Sequence, residues 1–151
     1  MGDDGPAKFA EDLAVGTIID LGTYSVTHGE IIAFATQWDP LPFHIDQAAA
    51  ESGYFGGLIA SGIHSLAIFQ RLAALGAYRH WSIIAGRALR DVELRRPVRP
   101  GITLSGSIRI DAVTPTRPDR SAVTTTGLLT AAGETVLSSV TDSIVRNRPE
   151  V

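Results

Sequence analysis

The sequence predicts an α+β domain in which a curved antiparallel sheet wraps one long helix. Three observations point to it. Residues 61–75, SGIHSLAIFQRLAAL, are apolar around most of a helical circumference, and a helix with no solvated face has to be enclosed. From residue 83 onward four β-patterned runs follow one another with only short turn signals between them, which favours antiparallel pairing. One further β-patterned run, residues 17–26, precedes the helical part, so strands stand on both sides of it.

Composition sets the bounds. A chain of 151 residues, 44% apolar and 19% charged, is ordinary globular material and long enough to bury a real core as one domain. Residues 1–14 read as a loose arm, tacked on by Phe9 and Leu13, and residues 15–148 as the single domain. A net charge of −3 gives no general case for nucleic acid or an anionic membrane. There is no cysteine, which excludes disulfides and thiolate nucleophiles. No run approaches the roughly 20 apolar residues of a membrane span. The opening MGDDGPAKFAEDL is acidic and lacks the basic-then-apolar order of a secretory leader, so a cytoplasmic protein is expected.

The elements follow in order. Residues 17–26 are rich in β-branched and aromatic side chains and form a first strand, interrupted by Gly22. Thr27 and Glu30 have capping-box spacing, which opens a short helix over 29–37. Pro40 and Pro42 stop that helix, leaving Asp39 at its exit and His44 beyond a stiff, extended linker. Asp46 caps a second short helix over 47–51, and Gly53, Gly56 and Gly57 make a tightly turned passage. The long helix starts near Ser61 or Gly62 and ends at Leu75, with Gly76 as its stop. Strands are expected over 83–94, 102–113, 121–131 and 135–146, with turns at 97–101, 115–119 and 132–134. The most economical packing of these elements is the hot-dog fold. Its open edge strands invite pairing, so a homodimer with a continuous sheet is expected.

The chemistry concentrates between residues 37 and 75. Asp39 and His44 are a carboxylate and an imidazole five apart in a proline-rich segment, where the chain can turn both side chains to one point. Such a pair can hold a water, take its proton and return one elsewhere; the plainer reading is a loop cap and a packing histidine. Gly62 opens the long helix, whose first N–H groups have no internal partner and carry partial positive charge, so a ligand carbonyl oxygen could be stabilised there. A glycine needed for close packing explains the same residue. Gln70, two turns on, is expected to be a buried amide that orients Asp39 or bonds to backbone. His64 and Arg71 share a face that meets solvent or a second subunit. Arg90, Arg95, Arg96 and Arg99 read as a solvated basic cluster or a seat for phosphates. His44-Ile45-Asp46 lacks metal-site spacing, and no metal is expected. No nucleophile elbow, P-loop or dinucleotide fingerprint is present.

Taken together, Asp39-Pro40-Leu41-Pro42-Phe43-His44 and Ile59-Ala60-Ser61-Gly62 resemble the MaoC-like, (R)-specific enoyl-CoA hydratase family, whose pattern is roughly D-x-N-P-x-H followed by an I-A-H-G helix start. Arg96-Pro97-Val98-Arg99-Pro100-Gly101 is similar to that family's turn into a following strand, and the likeness covers residues 15–145. Leu41 replaces the motif's Asn, Ser61 its His, and Gln70 a serine that bonds the catalytic Asp in some members. The resemblance implies a hydratase/dehydratase of fatty-acid metabolism that reversibly hydrates a trans-2-enoyl-CoA to an (R)-3-hydroxyacyl-CoA. Asp39, His44 and Gly62 would be catalytic, and Phe43, Ser61, Gln70, Arg95 and Arg96 would bind substrate. No cofactor is implied beyond the coenzyme A carried by the substrate. A hot-dog acyl-CoA thioesterase and a non-catalytic acyl-thioester-binding or partner subunit are the alternatives, because one fold hosts several functions.

Overall fold

The computed structural model describes residues 5–151, so the first four positions of the expected arm lie outside the described residues. The next part is not loose. Lys8 takes and gives backbone hydrogen bonds with Ser82 and His80, and a 3₁₀ turn over Ala10–Asp12 buries Ala10 and Leu13. Those bonds and apolar contacts offset the entropy of ordering the segment.

Strand β1, Ile18–Ser25, lies at one edge of a five-stranded sheet. Gly22 sits at φ +84° where the register with the next strand slips, a conformation glycine adopts without strain. Helix α1, His28–Trp38, opens on the expected capping box: Thr27 Oγ1 accepts from the Glu30 N–H, and Glu30 Oε1 accepts from the Thr27 N–H. Two short helices follow, α2 over Pro42–Ile45 and α3 over Gln47–Glu51, the second capped by Asp46 as expected.

Helix α4, Gly62–Gly76, lies against β1, β3 and β4 on the concave side of the sheet. Strands β2 (Ile83–Leu94), β3 (Thr103–Arg117), β4 (Arg120–Ala131) and β5 (Glu134–Arg146) complete it, all pairs antiparallel, in the order β1-β3-β4-β5-β2. This is the hot-dog fold, with α4 in the role of the central helix. β3 runs through Pro115, where a turn was expected. That stretch lies past the last partner on β1, so β3 has an open edge there and its ladder with β4 is irregular, both conditions under which a strand tolerates proline. Ala132 and Gly133, both at positive φ, make the two-residue turn between β4 and β5.

Close approach seats α4 on the sheet. Phe69 is buried against Gly127 of β4, where a Cβ would come within 2.1 Å of the ring. Leu72 packs on Gly106 of β3 in the same way. The opposite side of α4 is not enclosed: Ile63 is 59% exposed, and Ala67, Gln70 and Leu75 are exposed too. The expectation of a helix wrapped on every side is therefore corrected, because one curved layer of five strands covers only one side. β2, the edge strand opposite β1, exposes Leu89, Val92 and Leu94. No helix among the described residues is long and apolar enough to cross a membrane.

Candidate active site

Three helix ends meet at one place. Asp39 is the C-cap of α1. Leu41 takes the extended conformation that a residue before proline prefers, and Pro42 opens α2 at the first helical position. His44 therefore rides on a helical turn, not on the extended linker expected from the two prolines. Ser61 is the N-cap of α4 and Gly62 its first residue.

His44 is buried, and its Nδ1 lies 2.7 Å from the Ile59 carbonyl oxygen. A carbonyl only accepts, so Nδ1 carries the hydrogen and donates; in the neutral ring the lone pair is on Nε2. That Nε2 stands 3.5 Å from Asp39 Oδ2. The gap is too long for a direct N–H···O bond and close enough for one water to reach both groups. The Asp39 side chain is 27% exposed. Ser61 donates its hydroxyl hydrogen to the same Oδ2 at 2.7 Å, and its oxygen accepts the Ile63 N–H at 3.2 Å. As the first residue of α4, Gly62 has an N–H with no intrahelical acceptor, and no other group among the described residues accepts from it.

A cavity of about 360 Å³ opens here, with Phe43, His44, Gly62, Ser65, Arg95 and Arg96 on its wall together with the Leu94 side chain. Phe43 presents its ring edge-on to His44 at 4.4 Å, and Leu41 points away, 47% exposed. Neither fills the space. The side of Gly62 where a Cβ would project is occupied by Leu94, whose Cδ1 would stand 2.1 Å from it. Contact with this Leu94 side chain, itself 58% exposed, is one reason for a glycine here, alongside any use of its N–H.

The remaining expected residues divide. Arg95 and Arg96 reach the cavity while pairing with Glu93 and Glu134. Arg90 pairs with Asp142, and Arg99 donates to the Phe55 carbonyl, so the four arginines form no common anion seat. Neither Ser61 nor Asp39 is on the cavity wall; Ser61 is fully buried, so it does not touch a ligand, whereas the Asp39 side chain is partly exposed beside His44. Gln70 is corrected: it is exposed, makes no bond to Asp39, and lines a separate cavity of about 670 Å³ between the second half of α4 and β2. Eight residues of helix carry it about 12 Å from Gly62, too far to orient the carboxylate.

His64 is also corrected. It does not face solvent: it is buried, stacked on Phe34 at 4.5 Å, and its Nδ1 has no partner among the described residues. Burial pushes its pKa down, with Glu30 pulling weakly the other way. Three participants escaped sequence reasoning. The Ile59 carbonyl and Leu94 carry no residue-type signal. Ser65 does: it stands one turn after Gly62 on the same helical face.

Residues 13–132 match the family described as a MaoC like domain. The uncharacterized protein YdeM of Bacillus subtilis (strain 168) is 32% identical over 90 residues, a match that spans 60% of this chain and 64% of YdeM. The crystal structure of a MaoC-like dehydratase from Rhodospirillum rubrum is 38% identical and superposes with a TM-score of 0.85 over 95% of this chain and all of that one. An (R)-hydratase from A. caviae involved in PHA biosynthesis shares the fold, with 22% identity and a TM-score of 0.71 over 91% of this chain and 99% of that one.

Proposed function

Because the chain belongs to the MaoC-like dehydratase family, we propose that it is a hydratase/dehydratase of acyl thioesters, adding water reversibly across the C2–C3 double bond of a trans-2-enoyl-CoA to give an (R)-3-hydroxyacyl-CoA. The observation that carries this reading is the Asp39–His44 pair, with Nδ1 committed to Ile59 and Nε2 turned toward the carboxylate at 3.5 Å.

In this reading the two side chains hold one water between them. Nε2 of His44 takes a hydrogen from the water as its oxygen bonds to C3. The electron pair of the double bond moves toward the thioester carbonyl, whose oxygen accepts from the Gly62 N–H. His44 passes that hydrogen across the short gap to Asp39, which delivers it to C2. One water is consumed, and both groups end as they began. Phe43 and Ser65 flank the reacting atoms, and Arg95 and Arg96 face the phosphates of coenzyme A. Coenzyme A enters only as part of the substrate, and the reading calls for no metal or cofactor. It also calls for a homodimer, in which the exposed edge of β2 meets its copy and the uncovered side of α4 closes against the second chain.

Crotonyl-CoA tests it. Loss of enoyl absorbance without free thiol is the expected result. Thiol release would make the protein a thioesterase that uses the same carboxylate. Saturable binding with neither change would make it a non-catalytic thioester binder.

A further inference from the structure

Resting on that reading, we infer that Ser61 is a positioning residue for Asp39: one buried oxygen ties the carboxylate to the start of α4, so the acid and the Gly62 N–H are held in a common frame. Ser61 is 0% exposed, so its hydroxyl works within the protein. A hydroxyl has one hydrogen to give. Here it goes to Asp39 Oδ2 at 2.7 Å, and the oxygen in turn accepts the Ile63 N–H at 3.2 Å.

The arrangement makes the two carboxylate oxygens unequal. Oδ2 accepts from Ser61 and is also the atom 3.5 Å from His44 Nε2. Among the described residues no group donates to Oδ1, so the Ser61 bond alone fixes which oxygen faces His44. Turning the carboxylate plane would break the Ser61 bond and bury an unpaired hydroxyl, which is unfavourable.

Asp39 needs such a tether. It stands at the end of α1 with φ −156° and ψ 69°; its N–H donates to the Ala35 carbonyl and its carbonyl accepts from the Leu41 N–H, bonds that hold its backbone and leave the carboxylate free to turn. The N-cap of a long helix packed on a sheet is a firmer reference point. Because Gly62 is the next residue, any shift of the α4 start moves the N–H donor and the carboxylate together.

Ser61→Gly separates this role from capping, since glycine serves at an N-cap nearly as well as serine. With crotonyl-CoA, kcat should fall about 10–100-fold, as a misplaced catalytic group does. KM should stay within about twofold, because Ser61 does not touch substrate. In an Asp39→Asn background the same change should cost no further activity. A kcat within about twofold of the parent, or an equal loss in both backgrounds, overturns the inference. Both enoyl absorbance and free thiol are followed, and the parent protein is assayed first. A parent that changes neither overturns the functional reading and this inference with it; an active parent matched by Ser61→Gly overturns this inference alone.

Discussion

Asp39 and His44 stand in different electrostatic and hydrogen-bonding positions although they are only five residues apart. The imidazole is locked by the Ile59 carbonyl, and the carboxylate by Ser61. Replacing Asp39 by Asn keeps the shape and removes the group that carries the proton. Hydration of crotonyl-CoA should fall about 10²–10⁴-fold. Near-parental turnover would remove Asp39 from the chemistry. His64 belongs to another balance. Its burial lowers the folded pKa, so the unfolded chain binds the proton first as pH falls. The stability that neutral His64 contributes is complete above about pH 6.5, the unfolded value, and drains away as pH drops below it. Asp142, held low by Arg90 and then Thr124, loses its contribution only below about pH 4. His64→Phe should therefore flatten the melting temperature between pH 7 and 5 and leave the sag below pH 4. An unchanged slope between pH 7 and 5 would show that His64 does not set it.

At the scale of elements, the seating of α4 depends on two glycines that admit large side chains. Gly127→Ala would push a methyl into the Phe69 ring, and overpacking of this kind costs about 1–3 kcal/mol. Denaturant unfolding should report that loss, with the midpoint moved and the slope unchanged. An unaffected midpoint would mean that Phe69 can turn aside. Most elements were legible because each has a local cause: the Thr27–Glu30 box, the Asp46 cap and the Ala132-Gly133 turn are written in consecutive residues. α2 was not. Pro40 and Pro42 signal a helix stop, and only packing shows that the second of them also starts a helical turn. Pro115 misled in the opposite sense, since the open edge of β3 that tolerates it is a property of the sheet.

The whole molecule has an unfinished side. Ile63 on α4 and Leu89, Val92 and Leu94 on β2 are exposed apolar residues next to an unpaired strand edge, the kind of surface that pairs with another chain. Sedimentation should give the mass of two chains, and Leu89→Arg should give one. A parent that sediments as a monomer would remove the dimer from the proposal and leave the site within a single chain. The larger cavity beside Gln70 lies along the same edge.

By itself the sequence determined the class of fold, nearly every element and the four residues, Asp39, His44, Ser61 and Gly62, that come together. Periodicity, caps and turn residues are local, and the motif preserves order and spacing. Which groups each residue meets there was decided only by the tertiary structure. Ser61 faces Asp39 because α1 ends against the start of α4, twenty-two residues away in the chain. Gln70 is excluded because a helix carries it a fixed rise per residue away from the acid. Leu94 meets Gly62 because the end of β2 passes the first turn of α4. Contacts of that kind depend on how separate elements pack, and no local pattern encodes them.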